Sequence, residues 1–172
     1  SVVYVGTDDG NVWVSQNVGS GNVWTRLDAG LPDRWVTRVN VDPTHENIAY
    51  VTFSGFWDGE PQPHIFRTTD FGSTWTDLGT GLPDAPINDV IPDPEDSLRL
   101  WIGTDYGVYV TDNLGATWAP LGTGLPIIPV HDLAFHPPTR KLVAGTHGRS
   151  MFSIDLMTYC CTGQTGNVDG DP

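Results

Sequence analysis

Positively charged residues are scarce in this chain of 172 residues. It carries 8 lysines and arginines against 21 aspartates and glutamates, a formal net charge of −13. This balance argues against nucleic acid or an anionic membrane as a partner. No apolar run approaches the ~20 residues of a membrane-spanning helix, and no segment has the apolar period of an amphipathic helix. We therefore expect a soluble, all-β protein.

Cysteine is also rare, and the two cysteines, Cys160 and Cys161, are adjacent. Neighbouring cysteines can bond to each other only in a strained ring, so pairing with cysteines outside this sequence is an equal alternative. A zinc site would need more ligands than the nearby sequence offers. No signal peptide is present, and the chain opens in the middle of a strand pattern at Ser1–Tyr4. We expect a processed or truncated piece of a secreted protein.

Glycine and proline, in contrast, are abundant, with 20 and 14 residues, while charged residues make up only 17 %. They separate short apolar runs, which is typical of many short strands joined by turns. The length is sufficient for one domain with a real core.

One motif, S/T-x-D/N-x-G-x-x-W, occurs three times and is called the turn motif below. The copies are Thr68–Trp75, Thr111–Trp118 and a looser Ser15–Trp24 with two extra residues before the tryptophan. Gly-Leu-Pro follows each copy. The tryptophans are 51 and 43 residues apart, a repeat length typical of propellers and solenoids.

Each position of the turn motif has a structural purpose. Asp or Asn at the third position can accept backbone N–H groups and close a turn. Glycine at the fifth supplies a backbone angle that side chains disfavour. The tryptophan begins the returning strand and buries apolar surface; we expect Trp75 and Trp118 to be buried between strands. The predicted structural residues are Asn17, Gly19, Trp24, Asp70, Gly72, Trp75, Asn113, Gly115 and Trp118.

Four kinds of strand segment, here A to D, recur along the chain. Kind A is Val36–Val41, Ile87–Ile91 and Val130–Phe135; kind B includes Leu100–Ile102; kind C includes Val108–Val110; kind D follows each motif tryptophan. Their order, B-C-D, A-B-C-D, A-B-C-D, A-B-C, predicts fourteen strands. Four-stranded antiparallel sheets, or blades, around an axis form a β-propeller.

The predicted architecture is about three and a half blades over residues 1–155, with residues 156–172 as a linker and tail. Because propellers have about 4–8 blades, this number is too small to close a ring. Missing upstream sequence, a second copy, or an open stack with bare edges could complete the arrangement. Bare edge strands recruit partners, so self-association is a serious hypothesis.

The turn motif resembles the Asp-box, or BNR repeat, of sialidases, xyloglucanase-type glycosidases, sortilin-type receptors and photosystem assembly factors. The resemblance implies that each motif lies between the third and fourth strands of a blade, but it implies no single function, because family members do unrelated things. Asn17 and Asn113 replace the family's Asp, and we expect looser turns there. Gly145–Phe152 resembles the turn in the last blade of many bacterial Asp-box propellers.

Candidate catalytic residues are few. Sialidase-like enzymes need an arginine cluster over the axis, and only Arg38 falls on a kind A strand. Xyloglucanase-type enzymes use paired carboxylates, for which Asp89 and Asp132, at equivalent places on neighbouring strands, are weak candidates. Repeats also place like residues at like positions for structural reasons. Arg38, and His131 next to Asp132, are candidate ligand-binding residues.

An insertion at Trp57–His64 lengthens the connection between strands B and C of one blade. An aromatic, polar loop on the rim is a candidate ligand contact, and Trp57 is its candidate residue. A surface loop without a ligand is the alternative.

The tail places oxygen-bearing side chains at alternate positions, Asn167, Asp169 and Asp171. Such alternation begins a calcium loop and resembles the opening of a dockerin-type repeat. Pro172 stands where that loop wants glycine, and the alternative is a polar tail without metal.

The favoured function is a non-catalytic extracellular module that binds a glycan or protein or builds a surface assembly. The alternatives are a fragment of a sialidase- or xyloglucanase-like glycoside hydrolase, and a structural protomer that polymerises through open blade edges.

Overall fold

The computed structural model describes residues 1–27 and 29–156. In this part of the chain there are fourteen strands in four sheets. Blade 1 contains β1 (Val3–Gly6), β2 (Val12–Ser15) and β3 (Thr25–Arg26), and blade 2 contains β4 (Trp35–Val41), β5 (Ala49–Ser54), β6 (His64–Thr68) and β7 (Thr76–Asp77). Blade 3 contains β8 (Ile87–Pro92), β9 (Leu100–Thr104), β10 (Gly107–Thr111) and β11 (Ala119–Pro120). Blade 4 contains β12 (Val130–His136), β13 (Lys141–Thr146) and β14 (Met151–Asp155). Two single-turn 3-10 helices, Phe56–Asp58 and Pro137–Thr139, complete the list.

Every sheet is antiparallel, with the strands in chain order from one edge to the other. The outer blades, 1 and 4, have three strands, and blades 2 and 3 have four. The predicted all-β fold and the predicted A-to-D strand order are confirmed. No helix among residues 1–27 and 29–156 is long and apolar enough to span a membrane.

The innermost strands are β4, β8 and β12, and β8 packs against both β4 and β12. In a propeller the innermost strands line the axis. Each contains a β-bulge at the same place, between Val36 and Arg38, between Ile87 and Asp89, and between Val130 and Asp132. A bulge adds one residue to a strand and re-aims its side chains. The residues that follow the three bulges are Arg38, Asp89 and Asp132.

The apolar core is divided among the interfaces between blades. The core between blades 1 and 2 includes Val12 and Phe53, that between blades 2 and 3 includes Ile65 and Leu78, and that between blades 3 and 4 includes Trp101. Burial removes apolar surface from water and is the main stabilising contribution. Each blade is therefore stabilised mainly by its neighbours.

The turn motifs connect the third strand of a blade to the fourth. In the motif of blade 2, Asp70 Oδ1 accepts the Thr74 N–H at 2.9 Å, and Thr68 Oγ1 accepts the Gly72 N–H at 2.8 Å. Gly72 has a φ of +85°, as the prediction required, and Phe71 before it has a φ of +59°. Two successive left-handed residues thus reverse the chain, with the motif side chains bonding the freed amides.

The expectation of a looser turn at Asn113 is wrong. Asn113 Oδ1 accepts the Thr117 N–H at 2.9 Å, as Asp70 does for Thr74. The amide Nδ2 of Asn113 then donates to Thr117 Oγ1 at 2.8 Å. Asparagine keeps the turn tight because one side-chain oxygen accepts the backbone N–H and the amide replaces the second oxygen as a partner of the threonine.

The motif tryptophans are less buried than predicted. Trp75 and Trp118 are half-buried, and Trp24 is 42 % exposed. Trp118 packs on blade 2 and Trp75 on blade 1, so each covers the preceding blade instead of lying between strands of its own sheet. Trp24 belongs to blade 1, which has no preceding blade in the described part of the chain.

Candidate binding surface

Three residues of the innermost strands meet at the axis. Arg38 of β4 donates from Nε to Asp89 Oδ1 at 2.7 Å and from Nη2 to Asp89 Oδ2 at 3.1 Å. Arg38 Nη2 also donates to Asp132 Oδ1 of β12. The structure thus brings the predicted carboxylate pair together, but with a guanidinium bound to both members.

Both carboxylate oxygens of Asp89 accept hydrogen bonds from groups of the protein. Its side chain is 2 % exposed, and its two oxygens accept the N–H groups of Val90 and Leu133, both at 2.7 Å, besides the Arg38 contacts. Burial raises the pKa of Asp89, against the opposing effect of the Leu133 N–H and Arg38. For Arg38, burial would lower the pKa, but the Asp89 carboxylate outweighs it and raises the pKa. The pair ties three strands together.

The bulge residues next to this cluster bond to the following blade. Thr37 Oγ1 donates to the Ile87 carbonyl at 2.6 Å, and Asn88 Nδ2 donates to the Val130 carbonyl at 3.1 Å. His131 occupies the same place in β12, is exposed, and has His147 as its ring neighbour at 5.6 Å. Thr37 and Asn88, which have a following blade, therefore hold neighbouring blades together.

A pocket of ≈ 630 Å³ opens on the rim where the loops of blades 1 and 2 meet. Trp57 and Trp35 line it, with side chains 80 % and 44 % exposed. Trp57 lies in the single-turn helix of the predicted insertion, edge-on to Phe56 at 5.5 Å. Exposed tryptophans on adjacent loops provide flat apolar surfaces beside polar groups, a combination common in ligand sites.

The insertion loop is held by Glu60 at its base. Glu60 Oε2 bonds His64 Nε2 at 2.8 Å and accepts from Arg34 Nε at 3.4 Å, while Oε1 accepts the Gln62 N–H at 3.0 Å. Burial would raise the pKa of Glu60, but the bond to His64 and these further donors lower it. These bonds of Glu60 fix the conformation of the loop that carries Trp57.

The rim pocket is acidic. Its polar lining is Asp8, Asp9, Asp33, Arg34, Ser54 and Asp58. Arg34 lies 3.7 Å from Asp58 and 3.4 Å from Glu60, so its charge is offset by the loop itself. Hydrogen bonds from Thr7 and Asn11 lower the pKa of Asp9, which keeps it charged. The pocket disfavours anionic ligands.

Trp57 was predictable from the sequence, but the residues that share its pocket were not. Asp33 precedes β4 and Trp35 begins it, whereas Asp8 and Asp9 lie in the loop that connects β1 to β2. The order of the strands could have predicted this grouping. The loops before kind A strands and the loops between kinds B and C all lie at the same face of the propeller.

The remaining predicted site residues lie elsewhere. Asn167, Asp169 and Asp171, as well as Cys160 and Cys161, fall outside the described residues. Within residues 1–27 and 29–156, no group of three or more His, Cys, Asp or Glu side chains is arranged to hold a metal ion.

No protein-family profile matches the sequence, and no curated protein matches it. Solved structures do. The GH74 xyloglucanase of Xanthomonas campestris superposes with a TM-score of 0.69 at 16 % identity, over 91 % of this chain and 28 % of that one. YCF48 bound to a D1 peptide superposes with a TM-score of 0.62 at 18 % identity, over 94 % and 48 %.

The β-propeller domain of Cps50 (Swd1) from Myceliophteria thermophila superposes with a TM-score of 0.65 at 13 % identity, over 90 % of this chain and 48 % of that one. The chain thus spans about half the length of these structures or less. At such identities the likeness concerns the fold alone. The fold is a β-propeller of antiparallel blades, of which this chain contains a part, and the fold is shared by enzymes and by proteins that bind peptides.

Proposed function

We propose that the chain is a non-catalytic, extracellular β-propeller module that binds a neutral glycan in the rim pocket. The single observation that carries the proposal is the pair of exposed tryptophans, Trp35 and Trp57, in an acidic pocket of ≈ 630 Å³. A pyranose ring can lie with its apolar C–H face on an indole, while its hydroxyls donate to carboxylates. The acidic lining favours a neutral sugar over an acidic one.

The axial cluster supports a binding role over hydrolysis. Glycoside hydrolysis needs one carboxyl as an acid and another as a base or nucleophile, each reaching the substrate. Asp89 is buried and fully hydrogen-bonded, and Arg38 contacts both Asp89 and Asp132. A carboxyl that is buried and whose oxygens already accept from Arg38 and from backbone N–H groups cannot reach a substrate.

The test is calorimetric titration of the whole chain with cellohexaose, followed by Trp57→Ala. We expect Trp57→Ala to weaken binding at least tenfold. Tyr106→Ala is the matched control, because Tyr106 is 50 % exposed in the equivalent connection of blade 3 and lies outside the pocket. Binding that both variants weaken equally would contradict the proposal.

A lysine-rich peptide is the second probe, since an ammonium group can lie over an indole beside carboxylates. Binding of that peptide in place of cellohexaose would make the module a protein binder and overturn the glycan proposal. Release of reducing sugar that is lost in both Asp89→Asn and Asp132→Asn would instead support the glycoside hydrolase alternative.

A second candidate function is assembly through the outer blades. Blades 1 and 4 have three strands each, and blade 1 exposes Val5 and Trp24 at 38 % and 42 %. Apolar side chains and unpaired strand edges favour association. Light scattering after size exclusion tests this candidate, and a monomer at all concentrations would remove it.

Calcium binding at Asn167, Asp169 and Asp171 also remains a proposal, based on the alternate oxygen ligands in the sequence. Titration with calcium chloride, compared with Asp169→Ala, tests it. Equal heats for the two proteins would reject a site in the tail.

A further inference from the structure

An apolar groove between blades 3 and 4, here called the socket, has two counterparts in the chain that are occupied. Blade 3 contributes Val108, Leu121 and Leu125, and blade 4 contributes Leu142 and Ala144. Phe152 and Ile154 of β14 also line it.

The counterpart between blades 2 and 3 is built from the same positions of the repeat. Ile65, Leu78 and Leu82 of blade 2 correspond to Val108, Leu121 and Leu125, and Leu100 and Ile102 of blade 3 correspond to Leu142 and Ala144. The indole of Trp118 packs here, and its Nε1 donates to the Leu78 carbonyl at 2.9 Å.

The counterpart between blades 1 and 2 holds Trp75, which packs with Val12, Leu27 and Leu31. In both cases the tryptophan comes from the outermost strand of the later blade. The socket continues this series of interblade contacts.

The strand that delivers the tryptophan has one sequence pattern, W-x-x-L, seen at Trp24–Leu27, Trp75–Leu78 and Trp118–Leu121. Its backbone pairs with the third strand of the blade. The N–H of Leu78 donates to the Ile65 carbonyl at 2.9 Å, and the N–H of Leu121 donates to the Val108 carbonyl at 2.8 Å. The short pairing of the two strands therefore fixes the positions of both the indole and the leucine.

Blade 4 has no such strand within residues 1–27 and 29–156, where β14 is the edge of its sheet. Residues 157–172 contain no tryptophan. We infer that the socket takes a W-x-x-L segment that lies outside residues 1–172 and pairs with β14 as a fourth strand. The incoming indole donates to the Leu121 carbonyl, and the incoming leucine N–H donates to the carbonyl of Met151, which corresponds to Val108 in blade 3.

Such a contact combines strand addition with an aromatic anchor. Main-chain hydrogen bonds provide affinity, and a side-chain pocket provides specificity. The inference goes beyond the proposed functions: it requires neither the rim pocket nor self-association through the outer blades.

The experiment titrates the whole chain with a synthetic peptide of residues 70–82, which carries Trp75 and Leu78 and no proline. We expect saturable binding that weakens at least tenfold in the Trp75→Ala peptide and is reduced in the Leu78→Ala peptide. Because the substitutions are in the peptide, folding of the protein is unaffected. In the protein, Ala144→Trp fills the socket, and we expect it to abolish peptide binding.

Location is checked with a photoreactive phenylalanine in place of the peptide's tryptophan. Cross-links to residues 121–125 or 152–154, with slower amide exchange at Ser153, whose N–H faces the open edge of β14, support the inference. Equal affinity of the Trp75→Ala peptide, cross-links elsewhere, or no binding would overturn it. No binding together with a protected Ser153 amide would assign the socket to the chain's own tail. Light scattering separates the two ideas, because peptide binding by a monomer keeps the socket and removes self-association, whereas a dimer that ignores the peptide does the reverse.

Discussion

Trp118 donates its indole N–H to the backbone carbonyl of Leu78, 40 residues earlier and in the preceding blade. The contact shows how a short-range repeat becomes a tertiary structure. Each turn motif closes a turn within its own blade, and its tryptophan covers the blade before it.

Trp118→Ala should destabilise the fold by about 3 kcal/mol, because it opens a cavity in the interface between blades 2 and 3 and leaves the Leu78 carbonyl unpaired. Trp24→Ala is the matched control at the same motif position. We expect it to cost about 1 kcal/mol or less, since Trp24 is 42 % exposed. Urea unfolding measures both, and equal losses would mean that contact with the preceding blade is not what stabilises the tryptophan.

Arg38→Met should cost about 3 kcal/mol, because it leaves the buried Asp89 carboxylate without its ion partner. Arg149→Met, in an exposed turn, should change the free energy of unfolding by about 0.5 kcal/mol or less. The double variant Arg38→Met/Asp89→Asn should lose less than the sum of the single losses, because it removes the uncompensated charge. Strict additivity of the two substitutions would be the contrary result.

Asp93 should make stability depend on acidity. Burial would raise the pKa of Asp93, but Arg140, which donates to its two oxygens at 2.8 and 2.6 Å, and the Glu95 N–H lower it. The unfolded chain therefore takes up this proton first as pH falls. The contribution is fully present above the unfolded pKa of about 3.9 and is lost as pH falls through the lower folded value.

In Asp93→Asn the free energy of unfolding should consequently fall less steeply with pH below about 4. Urea unfolding at a series of pH values compares the two slopes. Parallel curves would show that the pairing with Arg140 does not contribute through this proton.

Gly115→Ala should destabilise more than Gly81→Ala, although both glycines have nearly the same backbone angle, φ +81° and +84°. A left-handed angle costs a residue with Cβ about 1–2 kcal/mol at either position. At Gly115 the new Cβ would also lie 2.9 Å from Leu78 Cβ and 3.1 Å from its carbonyl oxygen, whereas nothing lies within 4 Å at Gly81. We expect an additional cost of about 1–3 kcal/mol, measured as a larger decrease in Tm; similar decreases would exclude a close approach of the turn to blade 2.

The strands were predictable because they are local. The segment Val36–Val41 was expected and β4 spans Trp35–Val41; Leu100–Ile102 was expected and β9 spans Leu100–Thr104. Gly, Pro and Asp residues end each apolar run through their own backbone preferences, so the boundaries needed no knowledge of distant contacts.

The expected burial of Trp75 and Trp118 was overestimated, and the rim pocket was only partly foreseen, for a common reason. Both depend on how neighbouring blades stack. Trp57 was identified from its loop, but Trp35 and Asp8 join it only because two loops far apart in the chain meet at one face.

The sequence by itself determined the strands, their order, the turn chemistry and the incomplete number of blades, because a repeat with glycine and Asp or Asn at set positions dictates them locally. Only the tertiary structure decided that Arg38 binds Asp89 and Asp132, that tryptophans cover the preceding blade, and that the socket beside β14 lacks an indole in the described part of the chain. These contacts join residues tens of positions apart, and their partners are selected by blade packing.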